Sequence, residues 1–164
     1  MCFKAGLYKQ GLVHDLSKYS IKEFHPGVKY YQGYRSPIAR EKELNNGKSV
    51  AWIHHTRKNK HHWEYWSNEF NPKFNQIYDL PLNYLLESCC DRIAACKVYQ
   101  KDKYTDESPY NFHLNSKERH LMNDENQRRL FILLGYLKDN GEEKALKYYK
   151  ALYLKYKKDK SFNI

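Results

Sequence analysis

Two adjacent pairs of histidines, seven residues apart, make the stretch from Trp52 to Trp66 the part of the sequence best suited to chemistry. The pairs are His54-His55 and His61-His62, half of the chain's eight histidines. Seven residues are close to two helical turns, so in one continuous helix His55 and His62 share a face to within about 20°. Neutral imidazole is the commonest transition-metal ligand. The spacing predicts a site for one divalent ion or a close pair, unless the stretch is a solvated basic helix with incidental histidines.

Two acids and a lysine elsewhere in the chain can complete such a site. His14-Asp15 closes the predicted first helix; a neighbouring histidine and carboxylate can hold one cation, and the carboxylate can bridge two. Lys18 follows one turn later, where its ammonium can meet a phosphate oxygen. Asp91 lies about 180° from the apolar stripe of a later helix, so a second interface on that helix would turn it inward. Together these elements predict one shared metal site.

Helical periodicity runs through most of the chain and strand signals are nearly absent, so we predict an all-α, single-domain helical bundle over residues 1–164. Proline and glycine set most boundaries. The predicted helices cover residues 2–13, 37–45, the histidine stretch up to Asn71-Pro72, an apolar helix that begins after Pro81, 124–138 and 142–157. A short helical turn after Ser20 is predicted to break at His25-Pro26-Gly27, followed by a basic aromatic loop over 27–35, and residues 101–115 are predicted to form a surface loop. Within this domain, residues 116–164 are expected to pack on the part that carries the site.

Lysine and arginine outnumber aspartate and glutamate by 29 to 19, which gives a formal charge of +10. This balance favours anionic partners, namely a nucleotide, a phosphorylated metabolite or nucleic acid. Charged residues make up 29% of the chain, and no apolar run approaches the 18 or so residues of a membrane span, so no membrane partner is expected. The N-terminus lacks a signal-peptide pattern and the four cysteines form no CxxC pair, which predicts a cytoplasmic protein with reduced thiols.

The order of these residues resembles the HD-domain superfamily of metal-dependent phosphohydrolases. That order is a His-Asp pair, a lysine three residues after the aspartate, downstream histidines and a final helical aspartate. A closer resemblance, to a bacterial and phage family without an established activity, runs from Cys2 to about Tyr99. The segments that carry it are residues 2–7, 14–19 (His-Asp-Leu-Ser-Lys-Tyr), 26–33, 52–66 and 90–95 (Cys-Asp-Arg-Ile-Ala-Ala).

The superfamily resemblance implies an all-helical fold around one or two divalent ions, with Mn, Fe, Co, Ni and Mg as candidates. It implies metal ligands at His14, Asp15, His55 (or its neighbour His54), His61, His62 and Asp91. It also implies catalytic roles for Asp15 and Lys18, substrate-phosphate contacts from Lys18, Arg35, Arg57 and Lys58, and a role for Glu64 in orienting a ligand histidine. The implied reaction is hydrolysis of a nucleotide or other phosphate ester by metal-activated water.

The sequence departs from the superfamily at one position. The superfamily's first ligand is a histidine on a helix before the His-Asp pair, and no histidine precedes His14 here. We expect that the sequence begins late, at an internal methionine; otherwise the site has one ligand fewer.

Three alternatives remain open. One is a nucleic-acid-binding basic helical protein, whose binding depends strongly on salt and not on metal. The others are a di-iron oxidoreductase on the same scaffold and a catalytically inert HD-like scaffold.

Overall fold

A computed structural model describes residues 1–67, 77–116 and 121–164. Within those ranges the chain forms eight α-helices, and its only extended pairing is an isolated β-bridge between Ser67 and Ile77. The helices are α1 (Tyr8–Val13), α2 (Ile21–Lys29), α3 (Pro37–Leu44), α4 (Val50–Lys58), α5 (Leu82–Gln100), α6 (Ser108–Asn115), α7 (Asp124–Asn140) and α8 (Glu142–Lys158). Short 3-10 helices cover Leu16–Tyr19, Trp63–Trp66 and Lys101–Lys103. The predicted all-α class is confirmed.

The core lies between α5, α7 and α8, whose apolar side chains recur at helical spacing on the facing sides. Its buried members include Leu85, Leu86, Cys89 and Ile93 of α5, Leu130, Leu133, Leu134 and Leu137 of α7, and Ala145, Leu146 and Tyr149 of α8. Each buried leucine contributes about 1.5–3 kcal/mol relative to leaving it in water. Packing against α7 and α8 in this core holds α5, the helix that carries Asp91, in place.

Buried polar side chains hold the start of α5 against α7. Asn126 accepts a hydrogen bond from the backbone amide of Leu80 at 2.9 Å, and Arg129 Nη1 donates to the carbonyl of Leu80 at 2.8 Å. Both backbone groups of Leu80 are therefore satisfied although the residue is buried. These bonds fix the position of α5, and with it the position of Asp91.

The N-terminal half is a second layer of short helices. Helix α2 packs against α3 and α4, and the 3-10 helix Leu16–Tyr19 lies beside both α2 and α4. Ser49 caps α4, because its hydroxyl accepts from the backbone amide of Trp52 at 2.9 Å. None of the helices in the described ranges is both long and apolar enough to cross a membrane.

Two helix predictions are wrong in the N-terminal third. The first helix begins at Tyr8 and not at residue 2, because residues 2–6 form turns that include Gly6 at φ +75°. Helix α2 continues through Pro26 to Lys29. Proline lacks an amide donor, but the carbonyl of Pro26 still accepts from the amide of Tyr30 at 2.9 Å, so the helix continues.

The stretch over residues 101–115 is not a surface loop. It contains a 3-10 helix and α6, which carries Pro109 in its first turn, where proline is tolerated. His113 of α6 is buried and its ring lies 4.8 Å from that of Phe131 on α7. The predicted helices over 37–45, 124–138 and 142–157 agree with α3, α7 and α8, and the boundary predicted at Asn71-Pro72 lies outside the described residues.

Candidate metal centre

The histidine stretch is not one helix. Helix α4 ends at Lys58, and His61 and His62 lie in the turn that follows, so the prediction that His55 and His62 share a helical face is wrong. Asn59 is extended (φ −112°, ψ 109°), and its side-chain amide donates to the carbonyl of His55 at 2.8 Å, which ends the helix. The turn still brings the imidazoles together. The ring centroids are 4.8 Å apart for His55 and His62, and 4.3 Å for His61 and His62.

Asp15 lies in the sharp turn that follows α1 and has a left-handed backbone conformation, with φ 57° and ψ 21°. This conformation costs about 1–2 kcal/mol for a residue with a Cβ, although aspartate tolerates it better than most. The residue is only 7% exposed. Its Oδ1 atom is 3.5 Å from Nε2 of His55 and 3.6 Å from Nε2 of His61, and its Oδ2 atom is 3.5 Å from Nε2 of His14. Asp15 therefore lies between His14 on one side and His55 and His61 on the other, where a carboxylate can bridge two ions.

Helix α5 brings two acids, one helical turn apart, to the same cluster. Asp91 Oδ1 is 3.2 Å from Nε2 of His14. Glu87 Oε1 is 3.0 Å from Nδ1 of His14 and 3.3 Å from Nδ1 of His61. Three segments that are far apart in the sequence, around Asp15, His61 and Asp91, therefore meet in space.

Two buried carboxylates face the outer nitrogens of the imidazoles, and sequence reasoning missed both. Glu87 faces Nδ1 of His14 and His61, and Glu23 of α2 faces Nδ1 of His55 at 2.8 Å. A carboxylate that accepts from Nδ1–H fixes the tautomer in which Nε2 has the lone pair that a metal needs. The spacing of Glu87 one turn before Asp91 was an available signal. Glu23 offered none beyond its place in the short helical turn predicted after Ser20.

The structure also distinguishes between the two residues of the first histidine pair. Nδ1 of His54 bonds to the second oxygen of Glu23 at 2.6 Å. His54 belongs to neither group of candidate ligands, whereas His55 does. Of the two, His55 is the residue that faces the cluster.

Three buried polar atoms at the centre of the cluster have no hydrogen-bond partner among the described residues. They are Oδ1 of Asp15, Nε2 of His61 and Nε2 of His62. Buried polar atoms are rarely left unpaired in folded proteins, and a bound ion can satisfy atoms that no protein group reaches. Glu87 faces Nδ1 of His61 and so leaves the lone pair of its unpaired Nε2 for a metal, and the neutral His62 has a further unpaired nitrogen beside it, so the residues present fit a cation.

Among the described residues, two overlapping groups of side chains have the donor set of a metal site. One is His55, His61 and His62, and the other is His14, Asp15, His61 and Asp91; within each group one ligand atom per residue lies within 4.8 Å of the others. Ligands that hold one ion at about 2.1 Å are about 3 to 4.2 Å apart. Binding would therefore draw the atoms together by several tenths of an ångström. His61 belongs to both groups, and the two carboxylate oxygens of Asp15 face different histidines. The arrangement is therefore compatible with one ion or with two adjacent ions.

The electrostatics of the cluster are set by its carboxylates. Burial lowers the pKa of His14, but hydrogen bonds to Asp91 and Glu87 outweigh it and raise this pKa to about 10. Burial raises the pKa of Asp91, but the hydrogen bond from His14 and the nearby imidazoles reverse the effect and lower it. Burial, together with His61 and His55, lowers the pKa of His62 well below its usual value, so His62 is neutral at pH 7. A cation entering the cluster would replace the proton on His14.

The cluster lies in the wall of a cleft of about 960 Å³. Aromatic and aliphatic side chains form much of the rest of the lining, among them Phe24, Val28, Tyr31, Trp52, Tyr99 and Phe112. Volumes of about 300–1,000 Å³ are typical of sites for small molecules. Lys18 also lines the cleft, and its ammonium contacts Oδ2 of Asp15.

The other predicted phosphate contacts do not gather at this cleft. Arg35 lines it, but its guanidinium is engaged by both carboxylate oxygens of Glu43. Arg57 and Lys58 are exposed and are not among the described residues that line the cleft. Arg57 lies about 200° around α4 from His55, which explains why it faces away. Glu64 lines the cleft, but its Oε2 atom is 3.9 Å from Nδ1 of His62, beyond hydrogen-bond distance.

Comparison with models of protein families gives a match. The model of a family described as "Family of unknown function (DUF5662)" matches residues 1–134, a range that contains every residue of the candidate site. No curated protein and no solved structure matches the chain.

Proposed function

The chain belongs to that family, and we propose that it is a metal-dependent phosphohydrolase that cleaves a small phosphate ester. The observation that carries the proposal is the unpaired centre of the cluster, formed by Oδ1 of Asp15 and Nε2 of His61 and His62. Around it, buried carboxylates fix the outer nitrogens of His14, His55 and His61. A donor set held in this way is the usual environment of a catalytic metal.

In this proposal the ligands are His14, Asp15, His55, His61, His62 and Asp91, which hold one or two divalent ions. Four imidazoles argue against Mg²⁺, which prefers oxygen ligands, and favour Fe, Co or Ni; the two carboxylates also allow Mn. A bound ion of this kind supplies water activation near neutral pH and Lewis-acid polarisation of a phosphoryl oxygen. The donor set and its order along the chain support the proposed relationship to the HD-domain superfamily.

The remaining roles belong to the chain's own side chains. The ammonium of Lys18 lines the cleft beside Asp15 and would neutralise phosphate oxygens as negative charge develops on them. The aromatic lining, with Tyr31 and Trp52, offers faces against which the organic part of an ester can pack. The cleft, at about 960 Å³, has the size of a site for a nucleotide or a similar small ester. A nucleic-acid duplex would instead need an extended binding surface.

Metal-reconstituted enzyme assays test the proposal. The protein is stripped with chelator, reloaded separately with Mn²⁺, Co²⁺, Ni²⁺ or Mg²⁺, and assayed on p-nitrophenyl phosphate and a panel of nucleoside 5′-monophosphates. We expect hydrolysis only with added metal, and a loss of at least about 100-fold in Asp15→Asn and Asp91→Asn. Asp139→Asn is the matched control and should keep full activity, because Asp139 is at the C-terminal end of α7 and is not in the lining of the cleft.

Two outcomes would overturn the proposal. One is equal hydrolysis by wild type, Asp15→Asn and Asp91→Asn. The other is a fully loaded protein that hydrolyses none of the esters. In that second case, oxygen consumption by iron-loaded protein would identify the oxidoreductase alternative instead.

A further inference from the structure

Arg92 is a cation at the cleft that has no counter-ion among the residues that the structure describes. It follows Asp91 on α5, lines the same cleft, and its Nε atom is buried. It makes no hydrogen bond or ion pair with any residue that the structure describes. Other arginines differ: Arg35 and Arg128 donate to glutamates, and Arg129 donates to a backbone carbonyl.

An arginine in this position needs an anion. The guanidinium stays charged at every physiological pH and has five N–H donors. Leaving such donors unpaired in a partly buried position costs free energy, and an anionic ligand that brings acceptor oxygens removes that cost. Arg92 and the imidazoles of His61 and His62 line the same cleft, so the guanidinium faces the space that the cluster faces.

The carboxylates of the cluster are already paired with other groups. Asp15 contacts the ammonium of Lys18, and Asp91 and Glu87 contact the imidazole of His14. Among the described residues, none of these acids pairs with Arg92, so its guanidinium can take an incoming ligand. Lys18 lines the same cleft, and a metal ion bound to Asp15 would leave its ammonium as a second positive charge for the ligand.

We propose that Arg92 binds the phosphate group of the substrate and that the substrate is a phosphate monoester. This inference rests on the proposed function and deepens it. A guanidinium can bind two phosphate oxygens with parallel N–H donors, which a lysine cannot do. A monoester carries a charge of about −1.5 to −2 at pH 7, whereas a diester carries about −1, so two cations beside a metal match the monoester better.

The test compares Arg92→Gln and Arg92→Lys with the wild-type protein, and uses Arg128→Gln as the control. Arg128 is on α7, is half exposed and pairs with Glu125, outside the cleft. Isothermal titration calorimetry measures the affinity for Mn²⁺ and then, on the loaded protein, the affinity for inorganic phosphate. Kinetics on p-nitrophenyl phosphate separate KM from kcat, and bis(p-nitrophenyl) phosphate serves as the diester.

We expect Arg92→Gln to lose about 10- to 100-fold in phosphate affinity, with Mn²⁺ affinity within threefold of wild type. Arg92→Lys should fall between the two, because it keeps the charge and loses the two-donor geometry. Wild type should prefer the monoester to the diester, and Arg92→Gln should lose most of that preference. Arg128→Gln should match wild type throughout.

The outcomes separate this inference from the proposed function. Normal Mn²⁺ binding with unchanged phosphate affinity in Arg92→Gln and Arg92→Lys would overturn the role of Arg92 and leave the hydrolase proposal standing. A wild-type preference for the diester would overturn the monoester assignment. Failure of the wild-type protein to bind any of the metals would overturn the proposed function and, with it, the inference.

Discussion

Replacement of Glu87 should weaken metal binding although Glu87 is not one of the proposed ligands. Its carboxylate is buried and faces Nδ1 of His14 at 3.0 Å and Nδ1 of His61 at 3.3 Å. In Glu87→Leu both Nδ1–H groups lose their acceptor. Each imidazole then either leaves a buried donor unpaired or moves its proton to Nε2, which removes the lone pair that the metal needs.

The magnitude follows from the number of imidazoles that this acid orients. Loss of a carboxylate that orients one ligand histidine typically costs 10- to 100-fold in metal affinity. Two histidines share Glu87, so we expect about 100-fold for Glu87→Leu, or about 2.7 kcal/mol. Glu87→Gln keeps a neutral oxygen for both donors, and we expect about 10-fold for it.

Calorimetric titration of chelator-stripped protein with Mn²⁺ and Co²⁺ measures these affinities. Glu143→Leu is the matched control, because Glu143 is an exposed acid on α8 that pairs with Lys147. A urea unfolding curve of each metal-free variant checks that it still folds cooperatively. If Glu87→Leu binds both metals within twofold of wild type, the assignment of Glu87 as an orienting acid is refuted.

Three further predictions concern stability. Removing metal with chelator should lower the Tm by about 5–10 °C relative to protein held at 100 times the metal Kd, a gap of about 2.7 kcal/mol; scanning calorimetry that shows no shift would contradict it. Tyr149→Phe should cost about 1 kcal/mol, because the buried hydroxyl donates to the carbonyl of Leu133 at 2.7 Å, and urea unfolding with unchanged stability would argue against that bond. Gly141→Ala should cost about 1–3 kcal/mol by the same measurement, because Gly141 has φ +82° and ψ 162°, a region almost closed to other residues, and a stabilised variant would be the contrary result.

The sequence predicted best those helices whose signals are local. The strong apolar pattern of α7 and the Asn140-Gly141 stop placed the last two helices almost to the residue. Helix α6 was missed because its composition is polar and its buried side, with His113 against Phe131, becomes visible only in the packed structure. The helix break predicted at His25-Pro26-Gly27 is wrong, because the one amide donor that Pro26 lacks does not end α2.

For the site, the sequence predicted which residue types take part but not how they are arranged. The histidines and aspartates could be selected from their chemistry and their order along the chain. Their arrangement could not, because the turn after α4 depends on the amide of Asn59, which donates to Ser17 Oγ at 2.7 Å from 42 positions away. Glu23 was not selected, because its position beside His55 depends on a contact between distant segments. The role proposed for Arg92 likewise depends on the absence of a partner among the described residues, which the sequence does not reveal.

Anomalous X-ray diffraction from crystals soaked in Mn²⁺ or Co²⁺ tests the shared metal site most directly. We predict at least one strong anomalous peak within about 2.0–2.3 Å of Nε2 of His61 and of a carboxylate oxygen of Asp15, and its loss in His61→Ala. Peaks confined to the protein surface, with none between His61 and Asp15, would contradict the metal site, and the cluster would then be a structural network of acids and imidazoles.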